Sequence, residues 1–327
     1  MSDEPKNPTT IERLCESAYS SMAMLAGMQL DLFTTLAAGP MTPDQLANSL
    51  NVDSARLRVL MYALSNAGLL VVDEGVFTNT GETGKYLVRS SPSYIGDRHL
   101  MWDRFWGAAM NTAETVRSGS PAALYDFASL SEREQESYFR GLHPRTVAAG
   151  EHFARSVDLS RYRRVLDLGC GSGGFSIGMA GSSNDIEITA ADLPAVMGVA
   201  SGFIEEAGLQ DRILLKSVDI TNDTINGNFD AIILKNVLQV LSPDQSRKVL
   251  ANVVSSVAAE GHVYVIGDIL SDDRTKPSES VALNLALINL YPNGQAYSMA
   301  EYRDWLESVG FVDVCAINED TIRATSP

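Results

Sequence analysis

Apolar side chains in the first part of the chain recur at helical spacing. Thr9 and Glu12 have the form of a capping box, and Ile11, Leu14, Cys15, Ala18, Met22 and Leu25 follow at intervals that predict a long amphipathic opening helix. Thr42, Pro43 and Gln45 read as a second cap, before Leu46 and Leu50. A further helix carries Leu57, Leu60, Met61 and Leu64 up to Gly68. Two short β-like runs, Leu69 to Val72 and Val76 to Thr78, flank a turn at Glu74 and Gly75, so this stretch predicts a winged-helix-like unit. Residues 91–159 keep a helical pattern, with aromatic clusters at Trp102, Phe105 and Trp106 and at Tyr138 and Phe139.

From Arg164 the period changes. β-rich runs at Arg164 to Leu168, Ile186 to Ala191, Ile213 to Val218, Phe229 to Leu234 and His262 to Gly267 alternate with helical segments, which implies a mostly parallel sheet. Ser242-Pro243 with Gln245, and Ser298 with Glu301, cap two of those helices. The runs Phe311 to Ala316 and Thr321 to Thr325 predict a closing antiparallel pair at the sheet edge. The expected fold is thus α/β and doubly wound, with five parallel strands plus that pair, behind a helical N-terminal region. Expected boundaries are 1–90, 91–160 and 161–327.

Composition narrows the function. With 41 acidic against 25 basic side chains, the net charge of −16 repels phosphate backbones, and Asp44, Asp53, Asp73 and Glu74 surround Arg56 and Arg58 on the candidate recognition helix. Nucleic acid is not an expected partner. No run approaches the roughly 18 apolar residues of a membrane span, and MSDEPKNPTT lacks the features of a signal peptide, so a cytoplasmic protein is expected. Cys15, Cys170 and Cys315 form no C-x-x-C pair and the four histidines are dispersed, so no metal is expected.

The first β-run leads into Asp167-Leu168-Gly169-Cys170-Gly171-Ser172-Gly173-Gly174, where glycines let the backbone turn while a ligand approaches closely. Read as G-x-G-x-x-G, with Asp192 at ribose distance, the loop also suits a dinucleotide, which leaves a NAD-type oxidoreductase as one alternative and a ligand-sensing winged-helix regulator as another. Asp167, a carboxylate just before the glycines, disfavours pyrophosphate and suits a cationic ligand such as a sulfonium.

The segment VLDLGCGSGG resembles the first motif of S-adenosylmethionine-dependent methyltransferases. The whole chain, including LFTTLAAGPMTPDQLA, is similar to the small-molecule O-methyltransferase family of caffeate, acetylserotonin and bacterial antibiotic-tailoring enzymes. That resemblance implies S-adenosylmethionine as cofactor, a small aromatic or polyketide-like acceptor, and a homodimer made by the N-terminal region. A stripe of Leu14, Met22, Leu25, Leu30, Leu32 and Phe33 agrees with the dimer.

By the same resemblance Gly169 and Gly171 pass under the cofactor, Asp167 lies near its amino-acid end, Asp192 holds the ribose hydroxyls and Leu193 packs on the adenosine. Asp219 and Ile220 in KSVDI meet adenine, and Lys235 in IILKNVL lies beside the cofactor. Asp192 as a helix cap and Asp219 as a strand terminator are the alternatives. The acceptor pocket is expected from the helix Ser278 to Tyr291, with Asn284, Leu287 and Ile288, and from Trp102, Trp106 and His143. A structural role is the alternative for the last three.

The chain departs from the family at the base. Gln239 stands where the family has its catalytic histidine, and an amide orients but does not take a proton. The partner acid aligns with Gly267, leaving Asp268 as the adjacent carboxylate and a candidate substitute. Methyl transfer at oxygen therefore has carbon or nitrogen methylation, or a different reaction on the same cofactor, as alternatives.

Overall fold

The computed structural model describes residues 8–126 and 129–327; the first seven residues, on which the reading of the N-terminus partly rests, lie outside it. The chain divides between Asp103 and Arg104 into two compact units.

The first unit contains α1 (Thr9–Gln29), α2 (Leu32–Leu36), α3 (Pro43–Leu50), α4 (Ser54–Asn66), the hairpin β1 (Leu70–Asp73) and β2 (Val76–Asn79), and α5 (Gly81–Tyr86). Its core is built on Leu32, Phe33, Leu46, Met61, Leu64 and Phe77, all essentially inaccessible. The box at Thr42 forms as expected, with Gln45 N–H donating to the Thr42 hydroxyl and Thr42 N–H to Gln45 Oε1. The box expected at Thr9 does not form. Helix α1 starts at Thr9 itself after Pro8, so Thr9 has no non-helical capping position to occupy. The expected dimer stripe is also divided. Leu32 and Phe33 belong to the core of their own unit, whereas Ile11, Leu14, Tyr19 and Met22 of α1 are exposed. Arg58 pairs with Asp44 at 3.6 Å, which offsets one of the two cations on α4.

Helix α6 (His99–Ala109) carries the chain across the boundary. The second unit continues with α7 (Thr112–Ser118), α8 (Glu132–Ser156), β3 (Arg164–Leu168), α9 (Gly174–Ser182), β4 (Glu187–Asp192), α10 (Met197–Glu206), β5 (Ile213–Ser217), β6 (Phe229–Lys235), α11 (Pro243–Val254), β7 (Val257–Ile266), α12 (Ser278–Leu290), α13 (Met299–Ser308), β8 (Val312–Asn318) and β9 (Thr321–Thr325). Its seven strands lie in the order β5-β4-β3-β6-β7-β9-β8. Strands β3 to β7 pair in parallel, while β9 is antiparallel to both β7 and β8. The parallel sheet with its antiparallel terminal pair is the arrangement the alternation predicts.

Consecutive strands run outward from β3 in one direction and from β6 in the other, so the order reverses between these two. The carboxyl ends of β3 and β6 thus flank the crevice where open α/β sheets bind ligands. Apolar clusters fill both faces of the sheet, one including Phe153, Phe175, Ile188 and Ile233, the other Leu168, Ile232, Val249 and Trp305. Helix α8 packs lengthwise on α9, where Gly150 and Gly178 let the two backbones touch. Helix α7 is tied to α12 through buried Asn289, which accepts from Thr115 Oγ1 at 2.5 Å and donates to Thr112 Oγ1 at 2.9 Å.

Candidate active site

Register brings the candidate residues to one level. Asp167 lies opposite Ile233 of β6, and Leu168 opposite Ala191 of β4, so Gly169, Asp192 and Lys235 sit together at the end of their strands. Gly169 N–H and Cys170 N–H both donate to Ala191 O, at 2.8 and 3.1 Å, which fastens the loop to β4. Gly169 has φ +82°, and a Cβ there would lie 2.3 Å from Val237 Cγ2. Only glycine fits both that conformation and that contact. Gly171, at φ +55°, faces Phe139 of α8 in the same way.

The two carboxylates at this edge are held differently. Asp167 is buried and accepts the Ser176 hydroxyl at 2.7 Å. Burial pushes its carboxyl up to about 6, against the opposing pull of Ser176 and of the Lys235 ammonium. Asp192 accepts Gly171 N–H and Leu193 N–H, each at 2.7 Å. Burial raises it too, with those two N–H groups acting against the shift. Leu193 packs on the core beside it. Asp192 does not cap the following turn, whose N-cap is Leu193 without a side-chain bond.

Lys235 has no hydrogen bond or ion pair within the protein among the described residues. Burial lowers its pKa, reinforced by Arg145 of α8, while Asp167, Asp268 and Asp320 pull the other way. Arg145 was missed by sequence reasoning. The available signal was the α8 face Phe139, His143 and Thr146, which meets the glycine loop at helical spacing.

Asp219 turns inward, accepting Thr221 N–H at 2.9 Å, Thr221 Oγ1 at 2.7 Å and Asn222 Nδ2 at 2.8 Å. Burial opposes its ionisation, but these donors outweigh burial and keep it below its ordinary value. Ile220 packs against the core.

At the end of β7 the structure brings Gln239, Gly267 and Asp268 together. Gln239 lies in the short turn after β6, 6% exposed, and its Oε1 accepts Asp268 N–H at 3.3 Å. Its main-chain carbonyl accepts Gln295 N–H. A Cβ on Gly267 would come within 2.8 Å of both Gln239 Oε1 and Asn236 Oδ1, so the amide fills the space a side chain at 267 would need. The Asp268 carboxylate accepts the Ser280 hydroxyl at 2.8 Å, anchoring the start of α12.

The expected acceptor residues do not gather at one point. Asn284 Oδ1 accepts Ala296 N–H at 2.6 Å and so holds the segment after α12. Ile288 lines a cavity of about 410 Å³ with Thr115, Val116, Tyr291 and Gln295, and no residue of the glycine loop borders it. His143 shares a hydrogen bond with Ser172 Oγ at 2.9 Å and stacks on Phe203. Burial lowers it to about 4, so it is neutral near pH 7. Trp106 is half-buried on α6, and Trp102 packs on the core of the first unit.

Residues 102–312 match the profile of the O-methyltransferase domain, and residues 12–90 that of the O-methyltransferase dimerisation domain. The chain is 28% identical over 325 residues to a 3-hydroxy-5-methyl-1-naphthoate 3-O-methyltransferase of Streptomyces sahachiroi, spanning 98% of this chain and 92% of that one. It is 22% identical over 324 residues to an L-tyrosine C(3)-methyltransferase of Streptomyces lavendulae, spanning 94% and 88%. The human N-acetylserotonin methyltransferase solved in complex with S-adenosylmethionine has the same fold, with a TM-score of 0.86 at 21% identity over 100% of this chain and 99% of that one. No helix among the described residues is long and apolar enough to cross a membrane. The chain belongs to the S-adenosylmethionine-dependent small-molecule O-methyltransferases, and is a methyltransferase with a Rossmann-like domain and a helical dimerisation domain.

Proposed function

We propose that this methyltransferase acts on a small aromatic or polyketide-like acceptor, at oxygen in preference to carbon or nitrogen. The observation that carries the reading is the row of Gly169, Asp192 and unpartnered Lys235 at the strand ends, beside a buried acid at Asp167. The naphthoate specificity of the Streptomyces relative supports an aromatic acceptor.

The residues present fit the cofactor. Gly169 and Gly171, held in their turns against Val237 and Phe139, would pass their backbone under it, Asp167 suits its cationic amino-acid end, and Asp192 would hold the ribose hydroxyls with Leu193 against the adenosine. Asp219 and Ile220 would border the adenine, with Lys235 alongside. When bound, S-adenosylmethionine supplies an electrophilic methyl group. The protein's task is then to exclude water and to align the acceptor, which can carry much of the rate. Helix α12, with Asn284 and Ile288, would shape the acceptor side together with Trp106. His143 would support the site from its own packing on Phe203 and Ser172. Asp268, engaged by Ser280, would position Gln239 instead of taking a proton itself.

A second reading, carbon or nitrogen methylation, is favoured by Gln239 in place of a base and by the tyrosine C-methylating relative. Incubation with hydroxynaphthoates, phenols and enolisable ketones, followed by mass spectrometry and NMR of the product, tests the choice. An O-methyl ether is expected; a carbon-methylated product from the same panel replaces the first reading with the second. S-adenosylmethionine or its demethylated product should raise the melting temperature, and NAD should not. Tighter binding of NAD than of either would end the proposal.

We also propose a homodimer formed through α1, where Ile11, Leu14, Tyr19 and Met22 are 46–78% exposed although apolar. Light scattering should give twice the chain mass; a monomer at high concentration rejects this.

A further inference from the structure

The carboxamide of Gln239 has two ends of opposite chemistry, and the fold decides which one faces the site. A backbone N–H only donates, so the amide atom facing Asp268 N–H at 3.3 Å is Oε1. Nε2 therefore points away from β7. It makes no hydrogen bond among the described residues, and it is not one of the buried polar atoms sealed off without a partner. It thus opens on free space. The end of β7 and the segment at Gln295 occupy two sides of Gln239, which itself follows β6, the strand whose carboxyl end flanks the crevice and carries Lys235.

The charged groups around that cleft are Lys235 from β6, Asp167 from β3, Asp268 between β7 and α12, Asp320 from the β8–β9 turn, and Arg145 from α8. Asp167 and Asp268 are each engaged by a serine hydroxyl, whereas neither Lys235 nor Arg145 has an ion-pair partner among the described residues. Where the family has an imidazole able to accept a proton, this protein has an amide whose oxygen is engaged by Asp268 N–H and whose remaining group is a hydrogen-bond donor.

We infer that the acceptor binds already ionised, as a phenolate or enolate, with Gln239 Nε2 donating to its anionic oxygen. This rests on the methyltransferase reading above. With Oε1 engaged by Asp268 N–H, the group that Gln239 offers is the Nε2 donor, which favours an anionic oxygen over a neutral hydroxyl. The acceptor's proton leaves to solvent before binding. A lone pair of the anion then forms the bond to the methyl carbon while the electron pair of the broken carbon–sulfur bond stays on sulfur, and no proton moves within the site. The acceptors selected are enols of 1,3-dicarbonyls and phenols with conjugated electron-withdrawing groups.

The test is spectroscopic. Protein saturated with S-adenosylhomocysteine is titrated with 4-nitrophenol and with 4-nitro-1-naphthol, whose ionised forms absorb in the visible, over a range of pH. Bound phenol should titrate about one to two pH units below free phenol, the shift expected from one hydrogen bond to a charged group. Gln239→Glu keeps an oxygen toward Asp268 N–H but replaces the donor with a carboxylate oxygen. It should raise the bound phenol's titration above the free value while leaving S-adenosylhomocysteine affinity, measured by calorimetry, unchanged. A spectrum that stays that of the neutral phenol in the wild type, or a Gln239→Glu protein that binds the ionised form equally well, overturns the inference. If S-adenosylhomocysteine fails to bind at all, the methyltransferase reading falls first and takes this one with it.

Discussion

The two strand ends that flank the crevice are built on different principles. At β3 and β4 the loop is specified by backbone: glycines at positive φ, main-chain bonds to Ala191, and a carboxylate whose partners are N–H groups. At β6 and β7 the backbone also turns through positive φ, at Asn236 (+57°) and Gly267 (+158°), but the space is filled by side chains, with Gln239 and Asn236 packed beside Gly267. The first arrangement tolerates little change because the backbone conformation itself, fixed by glycine, is the surface proposed to meet the cofactor. The second can exchange chemistry by trading one side chain for another, and here a proton acceptor has been traded for an amide. Val237, which follows β6 and touches Gly169, couples the two ends.

The largest effect should come from forcing a side chain into the backbone-built end. Gly169→Ala combines a left-handed conformation with a clash on the short, stiff side chain of Val237, for a stability loss of roughly 2–5 kcal/mol. Denaturant midpoints read this directly, and a loss below the cost of the backbone conformation alone would mean that Val237 moves freely. Asp192→Ala should come next. It removes the acceptor from Gly171 N–H and Leu193 N–H and should weaken S-adenosylmethionine binding by about 1.5–3 kcal/mol in calorimetry. An unchanged affinity would leave Asp192 as a loop fastener only.

A pH titration gives opposite signs for the two properties of the same end. Asp167 is raised from 3.8 to about 6 in the folded protein, so above pH 6 its buried charge costs stability, and that cost fades as pH falls from about 6 toward 4. Cofactor affinity should move the other way, dropping up to about tenfold per pH unit below 6 as the carboxylate facing the cationic ligand is protonated. His143, lowered from 6.5 to about 4, stays neutral in the folded protein while the unfolded chain takes up a proton, so it costs stability as pH falls from about 6.5 to 4 and opposes the gain at Asp167. Asp167→Asn should flatten the affinity curve and leave the His143 loss of stability at low pH uncompensated; a variant that retains the wild-type slope in affinity assigns the effect to another acid.

The same contrast explains what could be read from the chain. Glycine loops and strand ends are local in sequence, so the row of Asp167, Gly169, Asp192 and Lys235 is visible as motif and spacing. Period alone identified the five parallel strands. The beginning of β7 was not visible, because Val257 to Gly261 contains two alanines, a glutamate at φ +60° and a glycine packed on Asp230, none of which alternates. Nor was the inward turn of Asp219, which depends on Thr221 and Asn222, or the hold of Asn284 on Ala296 across the end of α12. The cap at Thr9 failed because the pattern fits two registers and only Pro8 decides between them. Gln239 was legible as a departure from the family, but the direction of its amide was not, since that is set by Asp268 N–H from a strand 29 residues away.

The smallest effect tests whether the side-chain-built end is as adaptable as this contrast implies. A methyl group at 267 would meet Gln239 Oε1 and Asn236 Oδ1, both at 2.8 Å, and both belong to side chains that can swing. Because Gly267 also lies at φ +158°, where a side chain is strained, Gly267→Ala should cost about 1–2 kcal/mol of stability, most of it from the backbone, and leave cofactor affinity intact. Its consequence should fall on the acceptor, because the methyl displaces the amide that faces it. Turnover should drop about fivefold, a little more than 0.9 kcal/mol of transition-state stabilisation. In Gln239→Ala one of the two obstructions is gone, so the methyl at 267 should then cost turnover little beyond its backbone strain and the contact with Asn236. The two changes together should lower turnover by less than the product of their separate effects, an interaction of about 0.5 kcal/mol or more between residues in contact. Strict additivity in that cycle would show that Gly267 and Gln239 do not share the space that the fold gives them, and that the lost acid and the lost base of the family disappeared independently.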